Sequence, residues 1–430
     1  MDSEHLILER SITLLEPGGR LGLVVPDGVL NNQGESSNCP RVRRFLARTG
    51  RVEAIVSLPD YAFRRSGAQN KTSILFFRKF SRQEARGVER ALARAAAAGL
   101  DESEAIAVAL ERSGSDYIVF LAEATYLGYT PSGAHSESND LFRAANNGQI
   151  PDDQHDTILG EWRRFKAHPE GYRGRSLPDC AAVRFSVLWR AHSSHRLDPK
   201  YHLFKREPLA TPPAGWTKRQ LSEVMSQRAE LASPDKLPDR HFSVMTLSQT
   251  GDIRAREAGK GKNPPEWTGA YLSSGSSIWH AARSGDVVYS SIDLWKGCIA
   301  VVPPAFDGAI VTKEFPIYRV TEPTLLPAFL QCLLRCRYYQ RAFRAITTGH
   351  SNRRRTQRED FEALEIAFPA DVDEQQRLIL DIVQARGAQA NAEQDTRRAS
   401  LAFSNLIDGR GDEELPEIVR DAGVDTDDEL

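Results

Sequence analysis

The sequence has few of the features that would assign it quickly to a class of protein. No apolar run approaches the length of a membrane span. The first ten residues carry acidic side chains and lack the apolar core of a secretory signal, so we expect a cytoplasmic protein without a membrane anchor. The formal net charge is only −2 over 430 residues, so no global basic excess indicates nucleic-acid binding. An acidic tail from Asp412 to Leu430 offsets arginine clusters elsewhere, and local basic surfaces are therefore compatible with the small total.

Several kinds of site are also missing from the sequence. Five cysteines stand at irregular spacing, and no paired Cys or His motif accompanies them, so neither a disulfide framework nor a zinc site is predicted. Residues 259–262, Gly-Lys-Gly-Lys, lack the spacing and the Ser or Thr of a phosphate-binding loop. No carboxylate cluster followed by a catalytic lysine is present. We therefore predict no metal site and no restriction activity within this chain.

The most informative stretch lies between Glu16 and Lys79 and predicts three strands of an α/β sheet. The strands are residues 20–26, 52–57 and 71–77, each short, rich in β-branched or aromatic residues and bounded by Gly, Pro or charge. The first is a continuous apolar run, which is typical of a central strand covered on both faces. Two helices are predicted beside these strands, one over residues 1–15 and one over residues 41–48.

A polar segment, Pro26 to Gly34, follows the first strand and is predicted to be a loop. Open α/β sheets bind ligands at the carboxyl ends of their strands, so this segment is a candidate for the substrate side of a site. An ordinary surface turn is the alternative.

The same stretch resembles a known family. The similar segments are Leu8 to Ser11, Leu14 to Asn32, Val56 to Pro59, Phe63, Ser66-Gly67 and Lys71 to Phe76. They resemble the modification subunit of type I restriction systems, which is an adenine-N6 DNA methyltransferase. The resemblance implies that residues 1–80 are the carboxyl-terminal half of a methyltransferase α/β domain, a partial Rossmann-like sheet, and that the complete enzyme uses S-adenosylmethionine.

The resemblance leaves out two motifs of the family. Its methyl donor sits on a glycine-rich turn and its target amine meets an Asn-Pro-Pro-aromatic loop, and both lie upstream of the part that this sequence matches. The one similar segment, Asn263 to Trp267, has Glu266 in place of the stacking aromatic and is predicted to be a loop. We therefore expect no cofactor to bind this chain alone, and whether the chain acts as an enzyme stays open.

The loop after the second strand carries the predicted catalytic contact. A methyltransferase must rotate the adenine out of the duplex and hold it against an aromatic face. Phe63 falls where the family has such an aromatic, although Tyr61 competes with it and packing against the sheet is an equal alternative. Arg64 and Arg65 would then lie beside the DNA backbone.

The resemblance also implies roles in the segment after the first strand. Asp27, Asn31 and Asn32 match the family there and are predicted to face the substrate.

Residues 81–195 are predicted to hold a helical insert, a closing segment and a linker. Alanine-rich helices are expected between residues 81 and 114, a strand over residues 117–122, and a short amphipathic helix over residues 158–165. Gly128 to Gly133 and Asn139 to Leu141 resemble the segment that closes the methyltransferase domain of modification subunits.

A second resemblance covers residues 196–383. The order and spacing of Arg196 to Tyr201, Ser284 to Ser291, Ile310 to Tyr318 and Gly349 to Arg355 resemble the target-recognition domain of type I specificity subunits. We therefore predict an α+β recognition domain over residues 196–370, built on short strands joined by turns and containing a helix over residues 326–346.

The second resemblance gives the candidate DNA contacts. Cationic side chains can pair with phosphates, and an arginine can also pair bidentately with guanine in the major groove. A solvated arginine run is the alternative. The candidates in this region are Lys296, Lys313, His350, Ser351, Asn352, Arg353, Arg354 and Arg355.

A long helix is predicted over residues 371–407, followed by an acidic tail, residues 408–430, without stable structure. In specificity subunits such a helix packs against a partner helix, and packing on its own domain is the alternative.

Two functions follow from these predictions. The first is part of a site-specific adenine-N6 DNA methyltransferase of a restriction-modification system. This chain would supply sequence recognition and the target-base side, and its partners would be double-stranded DNA, a complementing methyltransferase half or modification subunit, and a restriction subunit. The second is a non-catalytic DNA-binding specificity protein that carries a remnant methylase segment.

Overall fold

The computed structural model describes residues 2–68, 70–112, 114, 116–145, 148–206, 209, 211–349 and 354–408. The chain divides into two compact units. The amino-terminal unit is Met1–Leu209 with Arg341–Phe361, and the carboxyl-terminal unit is Ala210–Gln340 with Glu362–Leu430. The units divide the chain differently from the predicted domains, since residues 196–209 and 341–361 of the predicted recognition domain pack within the amino-terminal unit.

Helices follow the predicted apolar periodicity in most places. The predicted helices at residues 41–48, 81–114, 158–165 and 371–407 are all confirmed. Within the described residues the α-helices are α1 (Ser3–Leu14), α2 (Asp27–Asn31), α3 (Cys39–Thr49), α4 (Arg82–Ala97), α5 (Glu102–Arg112), α6 (Ile158–Ala167), α7 (Phe185–Arg190), α8 (Pro199–Lys205), α9 (Leu221–Val224), α10 (Gly269–Ser274), α11 (Pro327–Leu334), α12 (Arg337–Ile346), α13 (Arg358–Glu362) and α14 (Val372–Asp408). None of these helices is both long and apolar enough to cross a membrane.

Strands in the first eighty residues lie where the β-branched segments predict them. In the described residues the strands are β1 (Arg20–Pro26), β2 (Gly50–Ser57), β3 (Thr72–Lys79), β4 (Ile118–Glu123), β5 (Leu127–Tyr129), β6 (His135–Asn139), β7 (Arg175–Ser176), β8 (Asp179–Arg184), β9 (Trp216–Gln220), β10 (Met225–Gln227), β11 (Met245–Leu247), β12 (Ile253–Ala255), β13 (Trp279–Ala281), β14 (Val287–Tyr289), β15 (Ile299–Val301), β16 (Ile310–Thr312), β17 (Ile317–Val320), β18 (Thr347–Thr348), β19 (Arg355–Thr356) and β20 (Glu365–Pro369).

The amino-terminal unit is built on a six-stranded sheet in the order β1-β3-β2-β4-β8-β7. Strand β3 is antiparallel to both β1 and β2, and β2 is parallel to β4. Consequently β1, β2 and β4 all run in the same direction, and their carboxyl ends meet at one edge of the sheet together with the start of β3. Strands β7 and β8, which the sequence did not predict, extend the sheet beyond β4.

The prediction that the first strand is a central one was wrong. Strand β1 lies at the end of the sheet, and its residues alternate between the core and the exterior, with Val24 45% exposed. A continuous apolar run specifies apolar surroundings on both faces, but it cannot specify which strands lie beside it.

The loop predicted over residues 26–34 was also wrong in part. Residues Asp27–Asn31 form the short helix α2, and all five of them are buried. The polar side chains that suggested a loop are satisfied inside the protein: the Asp27 carboxylate accepts a hydrogen bond from the Ser73 hydroxyl at 2.7 Å. Buried polar groups are tolerated when they are paired in this way.

Apolar side chains cover the two faces of the sheet separately. On one face Leu8 and Ile12 of α1 pack with Leu46 of α3 and with Trp189 of α7. On the other face Phe120 packs against the rings of Trp162, Phe165 and Tyr172.

The carboxyl-terminal unit has a four-stranded antiparallel sheet, β10-β17-β14-β15, and several two-stranded pairs. The helix predicted over residues 326–346 is instead two helices, α11 and α12, and Arg335 caps the first. The Arg335 guanidinium donates hydrogen bonds to the carbonyls of Gly297 and Gln249. Helix α14 is anchored near its start, because the buried Gln375 side chain bonds to backbone groups of Leu326 and Pro369.

Candidate functional site

A group of charged side chains occupies the sheet edge where the parallel strands end. Asp27 follows β1, Asp60 lies three residues after β2, Lys71 directly precedes β3, and Glu123 ends β4. This position, the carboxyl edge of an open sheet, is where α/β proteins bind ligands. We refer to these four residues as the strand-end cluster.

Asp27 and Lys71 form a buried ion pair in the strand-end cluster. The Lys71 ammonium lies 3.4 Å from the Asp27 carboxylate, and the two side chains are 7% and 2% exposed. A buried pair with an additional hydrogen bond from Ser73 fixes the start of α2 against β3. Asp27 therefore has a partner in the fold, and its predicted role toward a substrate stays a prediction.

Asn31 and Asn32 lie at the end of α2. The Asn31 side-chain oxygen, which is buried, accepts a hydrogen bond from the Gly349 backbone at 3.1 Å. Asn32 is half-buried, and its backbone carbonyl accepts a hydrogen bond from the buried Arg43 guanidinium at 2.8 Å. Their predicted role toward a substrate stays a prediction, and in this structure Asn31 holds residues that are distant in the sequence.

Asp60 is paired with Arg354 at 2.7 Å. Burial raises the pKa of the Asp60 carboxyl, but the neighbouring charges of Lys71, Lys200 and Arg354 outweigh burial and hold that pKa well below its ordinary value. Asp60 is therefore ionised at neutral pH and bonds two segments of the amino-terminal unit to each other.

Glu123 bonds to two cations. Its carboxylate lies 3.3 Å from the Lys200 ammonium of α8 and 3.2 Å from the Arg344 guanidinium of α12. Burial, followed by the nearby charge of Lys71, lowers the pKa of Lys200. Burial raises the pKa of Glu123, but the charges of Lys200 and Arg344 lower that pKa by more. The pKa of Glu123 is therefore lowered overall.

Further hydrogen-bonding groups lie at the same edge. The Ser57 hydroxyl ends β2, the Thr72 hydroxyl begins the adjacent β3, and one oxygen of Asp60 follows β2. Each is buried and has no hydrogen-bond partner among the described residues. Such groups gain about 1–3 kcal/mol from a polar partner, so this edge suits a ligand that donates and accepts hydrogen bonds.

The loop of residues 58–68, after β2, carries both candidate aromatics, Tyr61 and Phe63, and their contacts differ. The Tyr61 hydroxyl donates to the Thr125 carbonyl at 2.8 Å, and its ring meets the Tyr129 ring edge-on at 5.8 Å. Phe63 is half-buried and makes no ring contact among the described residues. Tyr61 is therefore held by the fold, whereas Phe63 lacks an aromatic neighbour among the described residues, and its stacking role stays a prediction.

The same loop is fixed by the hairpin of β5 and β6. The Tyr129 hydroxyl donates to the Ala62 carbonyl at 2.6 Å. Arg64 and Arg65, which begin a short 3-10 turn after Phe63, are exposed. Gly67 closes the turn with a left-handed φ of 77°, a conformation that favours glycine.

The candidate DNA contacts belong to both units of the chain, and some are paired with acidic residues whereas others are exposed. In the carboxyl-terminal unit the Lys296 ammonium pairs with Asp293 at 3.2 Å and lies over the Trp295 ring, and Lys313 is exposed. In the amino-terminal unit Arg354 is paired with Asp60 and Arg355 is exposed on β19. His350, Ser351, Asn352 and Arg353 lie outside the described residues.

Most residues of the strand-end cluster were not predicted from the sequence. Asp60, Lys71 and Glu123 each stand at the end or start of a predicted strand, and that placement alone could have selected them. Lys200 had no such signal, because only the fold brings α8 onto β4.

Comparison with known proteins gives one family match and several similar structures. Residues 3–91 match the family model for N-6 DNA Methylase. No curated protein matches the chain. The family match confirms the resemblance of the first part of the chain to N-6 DNA methylases, and S subunits of type I systems are among the similar structures.

Three of the similar structures are two S subunits of type I systems and one restriction endonuclease. The HsdS subunit from Thermoanaerobacter tengcongensis is 24% identical, with 46% of this chain and 51% of that chain covered and a TM-score of 0.33. The type I restriction-modification S subunit from M. genitalium is 14% identical, with 46% and 45% covered and a TM-score of 0.28. The type IIG restriction endonuclease BpuSI is 12% identical, with 88% and 43% covered and a TM-score of 0.34. The chain spans about half the length of the HsdS subunit that it matches.

Proposed function

We propose that this chain is part of a site-specific adenine-N6 DNA methyltransferase of a restriction-modification system. The observation that carries the proposal is the match of residues 3–91 to the N-6 DNA methylase family. In this proposal strands β1 to β3 are the target-base half of a Rossmann-like methyltransferase sheet. The carboxyl-terminal unit contributes DNA recognition.

Phe63 is the proposed stacking partner of the target adenine. The exocyclic amine of adenine is inaccessible inside the duplex, so the base must be rotated out and held on an aromatic face. Stacking on an aromatic ring supplies about 1–3 kcal/mol, which offsets much of the unstacking cost. Tyr61 is held by Thr125 and Tyr129, whereas Phe63 has no ring contact among the described residues, and this difference supports the assignment.

The polar groups near Phe63 have complementary roles in this proposal. Arg64 and Arg65 are exposed next to Phe63 and would contact the phosphates that flank the rotated base. The buried hydroxyls of Ser57 and Thr72 would support a polar ligand at the strand ends.

The methyl donor does not fit the described residues of this chain. A donor cradle of the family kind needs a glycine-rich turn after a parallel strand. Here β1 leads directly into the buried helix α2, β2 leads into Leu58-Pro59, and β4 leads into Ala124-Thr125. We therefore assign S-adenosylmethionine to a complementing polypeptide, either a methyltransferase half or a modification subunit, and derive no step through it here.

Sequence recognition is proposed for the loops of the carboxyl-terminal unit that carry Lys296 and Lys313. Residues 350–355 remain candidate DNA contacts of the amino-terminal unit. The short strands of the carboxyl-terminal unit hold these two lysines on turns, from which cations can reach phosphates or base edges. A restriction subunit is a further proposed partner of the assembly.

DNA selection and methyl transfer test the proposal in two steps. The full chain is first used to select bound duplexes from a random library, and a single enriched sequence is expected. The selected duplex is then incubated with S-adenosylmethionine and the chain, with and without a polypeptide that carries the glycine-rich turn and the Asn-Pro-Pro-aromatic loop.

Methylated adenine is expected only when both polypeptides are present. Selective binding without methylation in either mixture would favour the alternative, a non-catalytic specificity protein. No enriched sequence would contradict both functions.

A further inference from the structure

Helix α4 carries four arginines at every fourth position. They are Arg82, Arg86, Arg90 and Arg94, and we refer to them as the arginine row. Because an α-helix has about 3.6 residues per turn and rises about 1.5 Å per residue, residues at this spacing form one row that is about 18 Å long and winds by about 120°. The proposed function has so far given this row no role.

The arginine row lies on the exposed side of α4. All four of its side chains are exposed, whereas Val88 and Ala95 of the opposite side are buried. Val88 belongs to the same apolar core as Leu110 of α5. At its start α4 is fixed by a capping box, in which the Ser81 hydroxyl accepts from the Glu84 amide and the Glu84 carboxylate accepts from the Ser81 amide. The fold therefore holds α4 by one side and presents the arginine row on the other.

The charge of the arginine row is not neutralised within the part of the chain that the structure describes. None of the four arginines forms an ion pair there, and Arg90 donates one local hydrogen bond, to the Arg86 carbonyl at 3.2 Å. The two acidic residues of α4 are placed elsewhere. Glu84 pairs with Arg78 of β3 at 2.8 Å, and Glu89 lines a cavity between α3 and α4. Four positive charges therefore stand together in solvent.

The arginine row differs from an ordinary solvated face. Surfaces that serve only solubility usually intersperse both signs of charge. The neighbouring α5 follows this pattern, since its Glu104 and Glu111 both pair with Arg190. Along the arginine row all three pairs at i, i+4 spacing have like charge, which destabilises a helix, and Arg82 stands in the first turn, where the helix dipole disfavours a cation. The row therefore does not stabilise α4, and this points to a binding role.

The surroundings of the row decide what kind of partner fits it. A helix that binds a membrane surface inserts its apolar side, but the apolar side of α4 is buried in its own unit. A protein interface depends on large aromatic or aliphatic anchors. On the exposed side of α4 the residues among the arginines are Gln83, Ala93 and Ala97, which supply no such anchor. The surface therefore suits a partner that offers regularly spaced negative charge and needs no apolar contact.

We propose that the arginine row binds the phosphate backbone of duplex DNA without reading its sequence. A guanidinium donates two parallel hydrogen bonds to phosphate oxygens. One DNA strand carries a phosphate about every 3.4 Å along the duplex axis, and successive arginines of the row are about 6 Å apart along α4, close to the spacing of alternate phosphates. The assignment of the partner to DNA rests on the proposed function, whereas the unpaired charge rests on α4 alone.

The test measures binding of the full chain to a short fluorescent duplex of random sequence over a range of salt concentrations. The glutamine variant removes the charge of the row and keeps a similar helix propensity; it carries Arg82→Gln, Arg86→Gln, Arg90→Gln and Arg94→Gln together. The lysine variant has Lys at the same four positions and keeps the charge. The control variant has the same change in net charge at exposed positions elsewhere in the chain: Arg10→Gln, Arg163→Gln, Arg173→Gln and Arg397→Gln.

The glutamine variant should reduce the slope of log K against log salt by about 3 to 4, because each phosphate contact contributes about 0.9. Its affinity at low salt should fall about tenfold or more. The lysine variant and the control variant should keep the slope of the wild type. Thermal unfolding of the glutamine variant should occur at the same or a higher temperature, since repulsion between like charges is removed.

Three results would overturn the proposal. The first is a glutamine variant with the slope of the wild type. The second is an equal loss of slope in the control variant, which would make net charge the cause. The third is a lysine variant with the slope of the glutamine variant, because the charge is then not what binds.

Selection from the random library separates this proposal from the proposed function. A single enriched sequence together with an unchanged slope in the glutamine variant removes the role of the arginine row and leaves the proposed function standing. A reduced slope without any enriched sequence supports the arginine row and contradicts the proposed function.

Discussion

At the scale of single residues, Tyr61 and Phe63 lie two positions apart in the loop after β2 but differ in the contacts that their rings make. The Tyr61 hydroxyl and ring are both engaged, by Thr125 and by Tyr129. Burial raises the pKa of Tyr61, in agreement with a phenol held within the fold. Phe63 is half-buried and has no comparable contact among the described residues, so stacking costs it no existing ring partner.

Phe63→Ala should reduce methyl transfer in the two-polypeptide mixture about tenfold or more, because about 1–3 kcal/mol of stacking is lost. The measurement is the initial rate on the selected duplex, together with the fluorescence of 2-aminopurine at the target position. Phe142→Ala is the control, since Phe142 is an exposed aromatic elsewhere in the same unit. Equal rates for the two variants would remove Phe63 from the site.

Arg354→Gln should lower the free energy of unfolding by about 1–3 kcal/mol at neutral pH, because Asp60 loses a charged hydrogen-bond partner. The lowered pKa of Asp60 contributes stability above the unfolded pKa of Asp, about 3.9, and this contribution is lost as the pH falls toward the folded value. The difference between wild type and variant should therefore be largest near pH 7 and shrink below about pH 4.

Urea unfolding at several pH values measures this effect. Arg64→Gln is the matched control, because Arg64 is exposed in the same loop as Asp60 and no change in stability is expected. A deficit in Arg354→Gln that stays constant from pH 7 to pH 3 would show that the ion pair with Asp60 is not its cause.

At the scale of elements, the hairpin of β5 and β6 positions the loop that carries Phe63. This hairpin lies in the segment where the sequence resembles the end of the methyltransferase domain. Tyr129 contributes both a hydroxyl bond to Ala62 and a ring contact to Tyr61. The hairpin therefore orders the loop before any DNA is bound.

Tyr129→Phe should keep the ring contact and remove the bond to the Ala62 carbonyl. A net hydrogen-bond contribution of about 0.5–1.5 kcal/mol predicts that amide exchange in residues 58–68 speeds up about two- to tenfold. Hydrogen exchange followed by mass spectrometry measures this change. Tyr126→Phe, at an exposed position beside the same hairpin, should leave the exchange unaltered; equal acceleration in both variants would refute the role of Tyr129.

At the scale of the whole molecule, the net charge is only −2 because acidic residues balance the cations that the proposed function needs. Some charged residues in the amino-terminal unit are paired with each other, as at Asp27 with Lys71 and at Asp60 with Arg354. Because the fold engages these cations, DNA binding by this chain would depend on other cations that are exposed.

Lys296→Ala and Lys313→Ala should each weaken DNA binding and reduce the slope of log K against log salt by about 1, the change expected for one lost phosphate contact. Fluorescence anisotropy over a range of salt concentrations provides the slope. Lys236→Ala is the control, because Lys236 is exposed in the same unit and was not predicted to contact DNA. An unchanged slope for both variants would move the DNA contacts elsewhere.

The sequence by itself determined the local elements. The apolar runs of β1 to β3 and the periodicity of α3, α6 and α14 are properties of neighbouring residues, and so are the glycines and prolines that end these elements. The family match of residues 3–91 is likewise a property of the sequence. Local propensity and pattern were sufficient for these predictions, because helices and strands space their apolar residues differently and a few residues show the difference.

Only the tertiary structure decided which strand lies at an edge, which aromatic is held by neighbouring residues, and which charges are paired. The sequence of β1 predicts a central strand, but β1 lies at the end of the sheet. Asp27 was predicted to lie in a loop, but it is buried and paired with Lys71. Arg354 reached Asp60 across nearly three hundred residues. Such pairings depend on the positions of residues that are distant in the chain, and no local pattern carries that information.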